Sequence, residues 1–260
     1  MKTRQMKIIG CVCSAVFLMA FPLPALGEAW GVIYQTDFAV DPGWQTSNPS
    51  DYYWEAGTAT YFSRQVDGPG HYSYIQIPGF APAQPWRLEY DIYVISMAWC
   101  GNGRVSLTNS SMCISGPPGV FVTLDFNSTN QLQLLWRDSL GGESYVHLPG
   151  WALDTWYTAR VEWNPGLSTL TATVWERDSG ALHGQAVVSA VGPFTSLDRI
   201  AMSAVCDSYC PGATGEIRVD NVRLLQPTTV PAVSEWGVLA MAALMLAAGA
   251  VVVSRRRAVG

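Results

Sequence analysis

Lysine is missing from the long middle of this 260-residue chain, and its two lysines both stand within the first seven residues. Between Glu28 and Gln226, nine arginines accompany nineteen aspartates and glutamates, which gives this segment a net charge of −10. An acidic surface of this kind repels phosphate backbones and anionic lipid headgroups. The composition therefore argues against nucleic acid and anionic lipid as partners of the segment.

Long apolar runs are confined to the two ends of the chain. At the first end, three basic residues precede an apolar run over residues 8–20, which is too short to span a bilayer comfortably. Ala25 and Gly27 place small residues at positions −3 and −1 relative to Glu28. This pattern is typical of a secretory signal peptide, so we expect residues 1–27 to be removed during export.

The C-terminal end combines a linker, an apolar run and a basic tail. Residues 227–235 contain two prolines, and the eighteen residues from Trp236 to Val253 are apolar, which is just long enough to cross a bilayer. Arg255, Arg256 and Arg257 follow. We therefore predict a transmembrane helix over residues 236–254 and, from the positive-inside rule, a cytoplasmic tail over residues 255–260.

The same segment resembles the IPTL-CTERM sorting signals of bacteria. The matching residues are Pro231, Ser234, Glu235, Trp236 and Gly237. At the start of the motif the chain departs from the typical pattern, with valine at 230 and alanine at 232. The resemblance implies recognition by an exosortase-like membrane peptidase, with an inner-membrane-anchored intermediate and a final place at the cell surface or in the extracellular matrix. The alternative is a permanent single-pass anchor.

Four cysteines remain once the signal peptide is removed: Cys100, Cys113, Cys206 and Cys210. An even number of cysteines in an exported protein predicts disulfides, and four cysteines allow three connectivities. We favour Cys100–Cys113 and Cys206–Cys210, since each pair closes a short loop. A metal site is the alternative, but neither pair has a histidine nearby.

The middle of the chain has the pattern of an all-β protein. Residues 86–94 alternate strictly, with Trp86, Leu88 and Tyr90 on the apolar face and Arg87 and Glu89 on the polar face. Turn-forming clusters of Gly, Pro and Asn separate further runs of this kind. No convincing helix interrupts them. We therefore predict a two-sheet antiparallel sandwich or jelly roll of about a dozen strands.

Three short motifs in this segment resemble the concanavalin A-like, laminin-G-like jelly-roll superfamily. They lie at residues 36–44, 156–163 and 219–224. The resemblance covers roughly residues 30–225 and implies one domain over residues 28–226, with glycans as a ligand class. In many domains of this kind a first-strand and a last-strand aspartate share a structural Ca²⁺, which here implies Asp37 and Asp220 as the metal ligands.

Aromatic residues are the candidates for glycan contact, because ten of the eleven tryptophans and all eleven tyrosines fall in the domain. Those in expected loops could stack on sugar rings, although aromatic residues more often belong to a core. The candidates are Tyr52, Tyr53, Trp54, Trp99 and Trp151.

Catalytic residues are not expected. Related glycosidases carry three acids at alternate positions of one strand, whereas Glu89 and Asp91 are followed by Tyr93. The missing acid leaves no proton donor at that place. The sequence thus favours a non-catalytic ligand-binding or adhesion module. A structural surface-layer component and a divergent glycoside hydrolase are the alternatives.

The predicted processing and disulfides can be checked together on the secreted protein. Intact mass spectrometry without reduction should find a mature chain that begins at Glu28 and is four hydrogens lighter than its fully reduced form. Peptide mapping should then link Cys100 to Cys113 and Cys206 to Cys210. Free thiols at Cys100 and Cys113 would contradict the pairing.

Overall fold

The computed structural model describes residues 29–46, 48–66, 71–98, 101–109, 119–204 and 214–228. These described residues form fifteen β-strands and no helix. The strands are β1 (Trp30–Thr36), β2 (Gln45–Thr46), β3 (Tyr52–Glu55), β4 (Thr60–Val66), β5 (Ser73–Gln76), β6 (Trp86–Met97), β7 (Asn102–Thr108), β8 (Phe121–Asn127), β9 (Leu132–Arg137), β10 (Glu143–Leu148), β11 (Trp156–Asn164), β12 (Thr169–Glu176), β13 (Leu182–Val188), β14 (Arg199–Ser203) and β15 (Thr214–Pro227).

The strands pair into two antiparallel sheets. Sheet A has the order β13-β12-β11-β6-β15-β4-β3, and β1 also pairs with β15. Sheet B has the order β10-β9-β8-β7-β14-β5-β2. The prediction of an all-β, two-sheet jelly roll is confirmed. The additional strands are short segments such as β2 and β5, whose two and four residues are too few to show a period.

The core lies between the inner faces of the two sheets. On β6, Trp86, Leu88 and Tyr90 are at most 1% exposed, as their alternation predicts, and on sheet B Leu107 and Leu124 are fully buried. Burial of each such side chain stabilises the fold by about 1.5–3 kcal/mol. This apolar layer provides the rigid base from which the outer face of sheet A projects its polar side chains.

The hairpin between β11 and β12 follows directly from local sequence. Asn164 pairs with Thr169, and Pro165 and Gly166 stand in the turn between the strands. Proline and glycine supply the backbone angles that a tight turn needs. The two strands accordingly pair as antiparallel neighbours.

A seam crosses the middle of sheet A along strand β15. One side of β15 pairs with β1 from Val222 to Pro227 and with β4 from Thr214 to Val219. Two strands therefore lie end to end along one side of a single 14-residue strand. Their junction falls beside Asp220 and Asn221, and this junction positions the candidate site.

Residues Trp30–Pro227 form one compact unit. Within the described residues, no helix is long and apolar enough to cross a membrane. The signal peptide, the four cysteines, the sorting motif and the predicted span at 236–254 all lie outside the described residues.

Candidate functional site

The outer face of sheet A carries the polar positions of β6. Arg87 pairs with Glu162 at 2.6 Å and Glu89 with Arg160 at 2.8 Å, each across the boundary between β6 and β11. Partly exposed pairs of this kind add about 1 kcal/mol each. Their main effect is to order the side chains of the face on one side of Asp91.

Two carboxylates stand opposite each other at the seam. Asp91 on β6 is the cross-strand partner of Asp220 on β15. Between Asp220 and Arg223 the strand contains one residue more than its partner, and Asn221 takes a φ of 50° in this bulge. Asparagine tolerates this left-handed backbone better than most residues. Like charges directly opposite each other destabilise a sheet, so this arrangement needs compensation.

Polar donors from three elements compensate the two carboxylates. Arg177, in the turn after β12, lies 3.4 Å from Asp91 through Nε and 3.4 Å from Asp220 through a terminal nitrogen. Thr158 donates its hydroxyl to Asp91 at 2.6 Å, and the side chain of Asn221 donates to Asp91 at 2.7 Å. Asp91 stands at a polar position of the alternating strand β6, yet it is only 6% exposed because these groups surround it.

Burial is the main reason why the pKa of Asp220 is raised above its ordinary value. The backbone N–H of Asn221 and the charge of Arg177 act in the opposite direction. The negative charges of Asp91 and Asp37 raise this pKa further. Asp37, Asp91 and Asp220 therefore lie in one region, and the guanidinium of Arg177 neutralises their negative charge only in part.

Two aromatic rings line the surface next to the carboxylates. Tyr93 and Trp156 are cross-strand partners on β6 and β11, and their ring centroids are 5.2 Å apart. The guanidinium of Arg177 lies 4.7 Å from the Trp156 ring centroid. The Tyr93 hydroxyl donates to Asp154 at 3.1 Å. Burial, followed by the neighbouring Asp154 carboxylate, raises the pKa of Tyr93.

These groups line an open cleft of about 680 Å³ on sheet A. Ligand pockets in proteins have volumes of roughly 300–1,000 Å³, so the cleft has the size of a binding site. It combines hydroxyls, aromatic rings and charges of both signs. The lining residues are Thr58, Thr60, Tyr93, Asp154, Trp156, Arg177, Asp178, Arg218 and Asp220.

Comparison with known proteins identifies the C-terminal segment. Residues 228–258 match the IPTL-CTERM motif. This confirms the predicted resemblance and indicates an exported protein that is sorted through its C-terminus. No curated protein sequence matches the chain.

Solved structures show a lectin-like fold. Basic winged bean lectin with Tn-antigen matches with a TM-score of 0.54 at 7% identity, over 76% of this chain and 97% of the lectin. A legume lectin-like domain from Entamoeba histolytica matches with a TM-score of 0.53 at 11% identity, over 75% and 98%. A Bacillus licheniformis β-glucanase matches with a TM-score of 0.51 at 12% identity, over 75% and 98%. At these identities the likeness shows the fold alone, which lectins and a glucanase share.

The cleft does not contain the aromatic residues predicted to contact ligand. Tyr52 and Trp151 are 1% and 4% exposed, and each donates a hydrogen bond to a backbone carbonyl. Their rings belong to the core and present no face to a ligand, which corrects that expectation. Trp54 packs against the core, and exposed Tyr53 stacks on Phe62. Trp99 lies outside the described residues.

Asp37 and Asp220, the predicted calcium ligands, lie near each other, as a shared ion would require. β1 and β15 are neighbours, and Asp37 lies close enough to raise the pKa of Asp220. Both oxygens of Asp220, however, face N–H donors of Asn221 and Arg177. Among the described residues, no group of three His, Cys, Asp or Glu side chains could hold a metal ion. Carboxylate oxygens that already accept from these N–H groups are less available to a calcium ion, which needs several oxygen ligands.

Sequence reasoning missed Trp156, Arg177 and Asp154 as members of a site. One signal was available, since Tyr93 is an aromatic residue at a polar position of an alternating strand. The carboxylates of Asp154 and Asp178 gave no such signal, because both lie in turns that only the tertiary structure brings to the cleft.

Replacing Asp220 by asparagine should stabilise the fold at neutral pH, by up to about 1 kcal/mol, because it removes a charge opposite Asp91. A carboxyl whose folded pKa is raised weakens the fold as pH rises through that pKa, and the neutral amide has no such dependence. The gain should therefore shrink on acidification below this pKa. Denaturant titrations across acidic and neutral pH, with a chelator present, measure the difference. A variant that is less stable at neutral pH would contradict the like-charge argument.

Proposed function

We propose that this chain is an exported, C-terminally sorted surface protein whose lectin-like domain binds a glycan in the cleft on sheet A. The observation that carries the proposal is the Tyr93–Trp156 pair beside carboxylates and guanidiniums in a cleft of ligand size. Sugar rings have apolar faces that pack on aromatic rings, while their hydroxyls need donors and acceptors at the rim. The lining supplies both.

The hydroxyl-binding groups of the cleft are already ordered by the protein. Asp154 accepts from Tyr93, and Arg218 donates to Glu55 at 3.0 Å. Thr58 and Thr60 lie 2.7 Å apart through their hydroxyl oxygens. Side chains held in this way lose little conformational entropy when a ligand binds, which favours affinity.

A binding role without catalysis is supported by the surroundings of the two strand acids. Asp91 accepts hydrogen bonds from Thr158 and Asn221 and is nearly inaccessible to a substrate. Glu89 is engaged by Arg160 at 2.8 Å and lies 3.7 Å from Arg223. A glycosidase needs one carboxyl free to donate a proton and a second placed at the sugar carbon. Neither acid is presented for those tasks.

Sorting would place the cleft outside the cell. An exosortase-like peptidase is the processing partner that the motif implies, with a membrane-anchored precursor before release to the surface or matrix. A protein held at the surface gains effective affinity for a glycan polymer, because neighbouring copies of the protein bind the same polymer molecule. The structural surface-layer role remains the second candidate, and glycan binding distinguishes the two.

The glycan proposal predicts that Trp156→Ala lowers affinity for the glycan selected on an array by roughly tenfold, since an aromatic contact of about 1.5 kcal/mol is lost. Titration calorimetry measures the change. Tyr145→Ala provides the control, because it also removes an aromatic ring, but one that is 60% exposed and lies on sheet B. Equal affinity in all three proteins, or no glycan bound by any of them, would reject the cleft as the site.

Calcium at Asp37 and Asp220 is a separate proposal, supported by the closeness of these carboxylates and opposed by the position of Arg177. An ion that binds only the folded state raises its melting temperature. Chelation should then lower the melting temperature of the wild-type protein but not of Asp220→Ala. If chelation leaves the wild-type melting temperature unchanged, no bound calcium ion stabilises the fold and Arg177 alone supplies the positive charge beside Asp220.

A further inference from the structure

The cleft has an excess of negative charge that its own arginines do not balance. Its lining contains Asp154, Asp178 and Asp220, and Asp91 lies against Arg177. Arg177 faces both Asp91 and Asp220, while Arg218 is engaged by Glu55. Five carboxylates thus surround two guanidiniums. A cleft lined mainly by one sign of charge concentrates the field of these groups.

The guanidinium of Arg177 is a cation that the protein itself places in the cleft. Its guanidinium lies 4.7 Å from the Trp156 ring centroid, the distance at which aromatic faces attract cations. Its two contacts with Asp91 and Asp220 measure 3.4 Å each. Strong charge-assisted hydrogen bonds are shorter, at roughly 2.7–2.9 Å. The site therefore holds a cation over an aromatic face, and the single charge of Arg177 does not balance the two charges of Asp91 and Asp220.

We propose that the preferred ligand is a glycan with free, protonated amino groups, as in polymers of deacetylated hexosamines. This inference rests on the proposed glycan-binding function. An ammonium group offers three donors and one positive charge, which match the unbalanced carboxylates of Asp154, Asp178 and Asp220. The sugar ring packs on Tyr93 and Trp156. A uronic acid or sulfated sugar would meet net negative charge, and an N-acetylated sugar would lose the charge interaction.

The decisive comparison uses glucosamine and N-acetylglucosamine oligomers of the same length with the full-length chain. We expect calorimetry at mildly acidic pH, where the amines are protonated, to show that the glucosamine oligomer binds at least about tenfold more tightly than the N-acetylglucosamine oligomer. Added salt should narrow the gap, because screening weakens charge interactions.

Two isosteric variants place the effect in the cleft. Asp154→Asn and Asp178→Asn should each weaken glucosamine-oligomer binding several-fold, and by a clearly larger factor than they weaken N-acetylglucosamine-oligomer binding. Asp198→Asn is the matched control, since its carboxylate is exposed and pairs with Arg199 outside the cleft. In the Asp154→Asn variant the new amide oxygen can still accept from Tyr93, so the fold should be preserved.

The outcomes separate the two proposals. Equal or tighter binding of the N-acetylated oligomer, or preferred binding of an acidic polysaccharide, would overturn the amine inference and leave glycan binding in place. Weakening by Asp198→Asn as large as that by the cleft variants would overturn the assignment to the cleft. No binding to any glycan would overturn the proposed function together with this inference.

Discussion

Strand β15 runs through the whole of sheet A and pairs on one side with two shorter strands, β1 and β4. Two strands placed end to end leave a gap in the row of backbone hydrogen bonds to β15. This gap lies where β1 ends and β4 begins. The bulge at Asn221 adds a residue at the same level against β6. A bulge turns side chains away from their regular alternation, and here it brings Asp220 and Asn221 to Asp91. The cleft depends on this junction.

The junction costs stability, and the protein retains it. Asp91 and Asp220 face each other with like charge, Asn221 has a left-handed backbone, and Arg177 compensates through long contacts. Elsewhere on the same face, Arg87–Glu162 and Arg160–Glu89 form short, regular pairs. A local departure from regular pairing, next to a cleft with aromatic residues, is the pattern expected where binding and stability compete.

The fold and the site carry different information. Lectins and a glucanase share this jelly roll at identities near one in ten, so the architecture does not choose between binding and hydrolysis. The abundance of aromatic residues does not choose either, because rings such as Tyr52 and Trp151 fill the core. The binding proposal therefore rests on the small group of Tyr93, Trp156 and the carboxylates around Arg177.

The sequence by itself determined the all-β class, strands such as β6 and β11, and the sorting motif. Alternation and turn composition are local properties, and the motif is contiguous, so each can be recognised without a structure. The same reasoning gave no sign that Asp91 is buried and placed Tyr52 in a loop site, since local pattern carries no information about what packs on top. Only the tertiary structure brought Asp220, Arg177 and Asp154 to Tyr93. These residues come from separate strands and turns, and their meeting depends on strand order, on the bulge and on the seam in sheet A.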